Sequence, residues 1–232
     1  MTGSSRRAAP VSAGPRVRMP RSQRRAQVLR LAEELFAEQG FHHISMDDIA
    51  DRAGVSKPVL YRHFPSKLDL YLALVDLQAE HLVSTVRATL EPFLEPAPGT
   101  APSDPDALAV DGLAVIEGVV RAYVRYAQAA GRASTLLFES DVMHDAAVRA
   151  RVLEPDAVNA RTFAEVLVRL TGLAPHEALL VARTCTAMAR TAAAERFRED
   201  GAVSEEDVTR LVPALAWRGV HGMLRRPASP EQ

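Results

Sequence analysis

Apolar residues recur every three or four positions along most of this chain, and no stretch of useful length alternates as a strand would, so the pattern predicts an all-α fold. Val28, Leu31, Ala32, Leu35 and Phe36 make one stripe, predicting a helix from about Arg21 to Gln39 that Gly40 ends. Ser45 then stands three residues before Asp48 as a capping box, and Met46, Ile49, Ala50 and Ala53 share one face of a short helix. Ala50 is small enough to let a second helix come close. Gly54 occupies the position where a helix closes in the left-handed conformation, with Val55 plugging the corner. Ser56 is placed to cap the next helix, and Pro58 falls in its first turn, where a missing amide proton does no harm. Leu60 and Phe64 face inward, leaving Lys57, Val59, Tyr61, Arg62 and His63 for the outer surface. Pro65 stops that helix, and Ser66 with Asp69 caps a long one running from Lys67 to about Leu90.

The remainder predicts a larger helical body. Residues 92–105 are Pro-rich and predict a loop. A helix follows from about Asp106 to Ala130, with Leu113, Ile116, Val120, Tyr123, Val124 and Ala127 inside. A short helix near Ser134–Ser140 comes next, then one from Asp145 to Leu170 that Pro155 is expected to kink. Small residues mark one face of the helix from Pro175 to about Arg198: Ala178, Ala182, Thr186, Ala189 and Ala193. Gly201 ends it, and Ser204 with Asp207 caps a last helix reaching about Arg225. The last two helices are candidates for a homodimer interface built as a four-helix bundle, favoured over packing of those faces within one chain because a single helix-turn-helix buries too little DNA surface for tight specific binding. The expected organisation is a disordered basic arm (1–20), a helix-turn-helix domain (21–70), a helical effector-binding and dimerisation domain (71–225) and a disordered tail (226–232).

Charge sharpens this division. Residues 1–32 hold eight arginines and no acid, so a net charge of −1 over the whole chain leaves −9 for the rest. A basic arm beside a helix-turn-helix points to duplex DNA docking at that end. Both of the chain's lysines, Lys57 and Lys67, lie in or beside the motif. The lone Cys185 forms no intrachain disulfide and fits a reducing cytoplasm; no apolar run is long enough for a membrane span or a secretory core. Phosphate loops, dinucleotide fingerprints, zinc-protease motifs and nucleophile elbows are absent from the sequence, so no enzyme, cofactor or metal is expected. His42 and His43 are adjacent and are placed in the loop before Ser45, without a metal role.

In a helix-turn-helix the leading turn of the second helix meets base edges in the major groove. Lys57 can pair with guanine, and Pro58 and Val59 can touch a thymine methyl. Ser56 opens that helix. Ser45 and Lys67, each at a helix start, are phosphate candidates, as is Arg24 beside the arm; Arg62 fits either role.

Residues 24–71 resemble the DNA-binding head of the TetR family of bacterial regulators. The pieces that carry the likeness are Leu35–Phe41 (LFAEQGF), Ser45–Ala50 (SMDDIA), Ala53–Ser56 (AGVS), Leu60–Phe64 (LYRHF) and Ser66-Lys67. Within that family Tyr61 and His63 fall at positions that contact phosphates. The run from Gly54 to Asp76, LLFESD at Leu136–Asp141 and Ala216-Trp217 further resemble actinobacterial regulators of fatty-acid synthesis, which sense long-chain acyl-CoA. That likeness implies an apolar effector, with Phe93, Tyr123, Tyr126, Leu137, Phe138, Phe163 and Met188 as candidate pocket residues. A multidrug-responsive repressor of the same family is the alternative.

Overall fold

The computed structural model describes residues 19–94, 105–195 and 203–224; the expectations for the basic arm, most of the Pro-rich loop and the tail lie outside them. Among the described residues every regular element is helical: α1 (Arg21–Gln39), α2 (Met46–Ala53), α3 (Lys57–His63), α4 (Lys67–Leu94), α5 (Pro105–Ala130), α6 (Thr135–Phe138), α7 (Ala146–Thr171), α8 (Pro175–Glu195) and α9 (Glu205–Leu224). None of these is long and apolar enough to cross a membrane.

The head forms as its local signals dictate. Ser45 and Asp48 complete a reciprocal capping box at the start of α2, and Met46, Ile49, Ala50 and Ala53 are buried. Gly54 takes the left-handed conformation with φ 62° and ψ 37°, which only glycine adopts without steric cost. In α1 the buried stripe is Val28, Leu29, Ala32, Leu35 and Phe36, so Leu29 takes the inner place expected of Leu31, which is half-buried. Ser56 precedes α3 as expected, but its hydroxyl makes no cap bond. The reason is local: Pro58 has no N–H to offer, and the Val59 N–H goes to the Ser56 carbonyl at 2.9 Å.

α4 runs from head to body and buries Leu70, Tyr71, Leu74, Val75, Gln78, Leu82, Val86 and Leu90. It passes through Pro92 and ends at Leu94, so residues 92–94 are helical where the sequence predicts a loop. Two tertiary interactions account for this: Phe93 and Leu94 pack against the core, and Arg169 of α7 donates to the Leu94 carbonyl, which the helix end leaves without an internal partner. In the body, α5 and α7 flank α4, α8 packs on α5 and α7, and α9 covers α5 and α8. Leu113 is half-buried, whereas Ile116, Val120, Tyr123, Val124 and Ala127 are in the core. The short helix is displaced: a 3-10 turn spans Gly131–Ser134 and α6 covers Thr135–Phe138 only. α7 is uninterrupted across Pro155, which is buried, and Asp145 caps it through the Ala147 and Val148 amides.

The small-residue face of α8 is spent within the chain. Ala178, Ala182, Thr186, Ala189 and Ala193 are all buried, as they must be for α8 to approach α5 and α7 closely. The outward faces of α8 and α9 carry exposed leucines instead, Leu180, Leu211 and Leu215.

Candidate nucleic-acid interface and effector cluster

α3 turns the residues of its outer face to solvent. Leu60 and Phe64 are buried beneath it, while Lys57, Pro58, Tyr61 and Arg62 are exposed and Val59 and His63 are half-buried. Lys57 Nζ is 2.6 Å from Asp47 Oδ2 of α2, and this contact raises the lysine above its ordinary range, keeping it charged. Both partners are more than half exposed, so the pair is screened and readily exchanged for a ligand. His63 is held below its ordinary range by burial and then by Arg21, Arg62, Arg25 and Arg24, so its ring is neutral at neutral pH. Those four arginines make the flank of α3 strongly positive, and Arg25 lies 5.0 Å over the Phe64 ring. Arg24 is exposed and donates to Gln27 at 2.7 Å.

A cleft of about 420 Å³ joins His42, His43, Ser45, Asp47, Tyr61 and Lys67 on the same side of the head. Two of its three phosphate candidates, Ser45 and Lys67, are partly committed elsewhere. The Ser45 amide and hydroxyl both reach Asp48 Oδ2, at 2.8 and 2.6 Å, and these bonds lower the Asp48 pKa. Lys67 Nζ donates to the Phe41 carbonyl at 2.9 Å and the Ile44 carbonyl at 2.8 Å, leaving one of its three N–H bonds for another acceptor. Its ammonium also lies 4.2 Å over the Phe41 ring. His42 and His43 sit in a turn, and no metal-ligand cluster exists among the described residues.

In the body, three of the expected effector residues come together. Phe138 stacks on Tyr123 with centroids 6.4 Å apart and meets Tyr126 edge-on at 5.5 Å. Leu137 joins them through its carbonyl, which accepts from Arg190. Phe163 is buried one helical turn beyond Asn159. Met188 lies outside this cluster, in a groove of about 530 Å³ between α8 and α9. Phe93 stands 15 residues beyond Gln78 on α4, roughly 22 Å at the helical rise.

Polar residues absent from the sequence expectation complete the cluster. Arg190 pairs with Asp156 at 2.6 Å with both side chains more than four-fifths buried, and its guanidinium lies 5.5 Å from the Phe138 ring. The Tyr123 hydroxyl donates to Asp156 at 2.7 Å and accepts from Asn159 at 3.2 Å. Burial, then the Asp156 charge, pushes that phenol well up, so it keeps its proton. Tyr126, also raised chiefly by burial, donates to Gln78 at 2.9 Å, and Gln78 in turn donates to Glu33 of α1. Periodicity gave no signal for these partners, because each is a polar residue whose burial depends on another helix.

A capped helix, a glycine turn and a second helix with its cationic outer face presented to solvent define a helix-turn-helix DNA-binding protein. Residues 28–74 match the family model described as bacterial regulatory proteins, tetR family. The HTH-type transcriptional activator FasR of Mycolicibacterium smegmatis is 32% identical over 203 residues, covering 88% of this chain and 85% of FasR. The chain belongs to the TetR family of bacterial transcriptional regulators. EthR of the same organism, an HTH-type transcriptional regulator, is 43% identical over a shorter stretch of 53 residues, 23% of this chain and 24% of EthR. The fold is shared with FadR from Bacillus subtilis, solved in complex with stearoyl-CoA (TM-score 0.63, 17% identity, 84% of this chain and 99% of that one). It is shared also with a TetR-like regulator from Rhodococcus sp. RHA1 (TM-score 0.61, 24% identity, 88% and 100%).

Proposed function

We propose that this regulator binds its operator as a homodimer and that a long-chain acyl-CoA in the body modulates the affinity, placing lipid-metabolism genes under its control. The observation that carries the DNA part is the outer face of α3, where Lys57, Tyr61 and Arg62 stand exposed beside Arg21, Arg24 and Arg25. Lys57 and Val59 read bases, with Pro58 and Ser56 at the leading turn; Ser45, Tyr61, His63, Lys67 and Arg24 hold phosphates; Arg62 serves either role. The stearoyl-CoA bound by FadR on the same fold supports a lipid-derived effector, as does the resemblance of Leu136–Asp141 and Ala216-Trp217 to actinobacterial regulators of fatty-acid synthesis.

Lys57→Ala is expected to weaken operator binding about ten- to a hundredfold and to relax one base position. Lys67→Ala should weaken binding to all sequences and reduce the salt slope by about one. Titrations of operator variants at several salt concentrations check both; unchanged affinity and preference in Lys57→Ala would remove α3 from the groove. Calorimetry with stearoyl-CoA, followed by titration of the operator in its presence, tests the effector. Heat of binding with an altered DNA affinity supports the reading. Silence with stearoyl-CoA but a response to a lipophilic cation would favour the multidrug alternative.

A further inference from the structure

We propose that Asp141 is a positioning residue: its carboxylate seats the DNA-binding head on the body and so fixes the angle at which α3 is presented. It belongs to the LLFESD segment, which the contacts of α3 leave unexplained. Asp141 Oδ2 accepts the Phe41 N–H at 2.8 Å, a bond between residues one hundred positions apart. α1 ends at Gly40 with φ 78°, and a Cβ there would stand 2.9 Å from the same Asp141 oxygen. Glycine is required for the backbone turn, and any side chain there would also press the carboxylate tip away from the Phe41 N–H.

The surrounding contacts make this bond a junction rather than an isolated surface contact. Phe41 is gripped on both sides of its own residue: Asp141 takes its N–H, and Lys67 donates to its carbonyl at 2.9 Å. The same lysine holds the Ile44 carbonyl at 2.8 Å, so the loop leading into Ser45 and α2 is fixed at both ends. Next to Asp141, the Ser140 hydroxyl lies 3.0 Å from that of Tyr71, whose ring meets Phe41 edge-on at 5.1 Å. The other side of this segment reaches the buried cluster, since the Leu137 carbonyl accepts from Arg190 and Phe138 stacks on Tyr123. Five residues thus span from the centre of the body to the loop that sets α2, and through α2 the attitude of α3.

The first two readouts, the head's angle and the exchange of the Phe41 amide, are taken without DNA or effector, so they are independent of the proposed function; operator binding is the third. A donor–acceptor dye pair is placed at Arg52→Cys in α2 and Arg121→Cys in α5, both exposed positions. Cys185 is buried and its thiol is pushed up to about 11, so it stays unlabelled. Dimers are formed with excess unlabelled protein, and single-molecule transfer efficiencies are recorded. The parent should give one narrow distribution. Asp141→Ala should broaden or shift it, speed exchange of the Phe41 amide, and weaken specific operator binding about tenfold while sparing non-specific binding. Asp141→Asn, which keeps an acceptor oxygen for the Phe41 N–H, should restore all three. A narrow, unshifted distribution in Asp141→Ala overturns the proposal. So does an Asp141→Asn variant that folds but behaves like Asp141→Ala, since the acceptor would then not be what matters.

Discussion

Leu180→Glu combined with Leu215→Glu is expected to yield a folded monomer whose affinity for a two-half-site operator falls by roughly three orders of magnitude or more. These leucines are 68% and 67% exposed in the single chain, so the substitution removes no core packing. Each stands four residues, one helical turn, from a residue (Thr184, Leu211) that lines an apolar groove of about 530 Å³ between α8 and α9. In the proposed homodimer a two-fold axis would bring each exposed side chain into the interface twice, and full burial of a leucine contributes about 1.5–3 kcal/mol. Glutamate replaces that gain with the cost of desolvating a carboxylate. One helix-turn-helix covers too little DNA for tight specific binding, so losing the partner head removes most of the specificity. Sedimentation equilibrium and circular dichroism, followed by operator titration, check the three parts separately. A variant that remains a dimer would move the interface off the outward faces of α8 and α9.

Arg190→Ala is expected to destabilise the chain by about 3 kcal/mol, because it leaves a largely buried carboxylate without its counter-ion and with only the Tyr123 hydroxyl as partner. Asp156 and Arg190 are 19% and 18% exposed and 2.6 Å apart. The same guanidinium also serves the Leu137 carbonyl and lies against Phe138, so three contacts are lost together. Asp156→Asn combined with Arg190→Met should recover much of the loss, since a neutral pair of similar volume carries no uncompensated charge. Urea unfolding of the parent, the single variant and the double variant measures this directly. If Arg190→Ala unfolds at the parental midpoint, the ion pair is not the anchor of the body's centre.

Several of the structure's departures from the sequence reading share one cause. The small face of α8 was recognisable as a buried face, but the 3.6-residue period does not say whether a neighbouring helix of the same chain or a second subunit covers it. Met188 reads as a candidate effector-pocket residue, yet it lines an outer groove between α8 and α9. Pro92 is a local stop signal that packing of Phe93 and Leu94, with the Arg169 bond, overrides. Lys67 reads as a free cation at a helix start, but two loop carbonyls occupy it. The polar members of the central cluster carry no local mark, because their burial is created only when α5, α7 and α8 meet.

What the sequence determined by itself is whatever a few consecutive residues can settle. The Ser45–Asp48 box, the left-handed Gly54, Pro58 in the first turn of α3, and the inward Leu60 and Phe64 together define the head and the face it turns outward. Tertiary structure alone decided the pairings between distant residues: Asp141 with the Phe41 amide, Arg190 with Asp156, Gln78 between Tyr126 and Glu33. Caps and turns are satisfied within one or two turns of backbone and can be read in order along the chain. A buried polar contact between helices exists only once the helices have packed, and its two halves lie too far apart in the chain for any local pattern to join them.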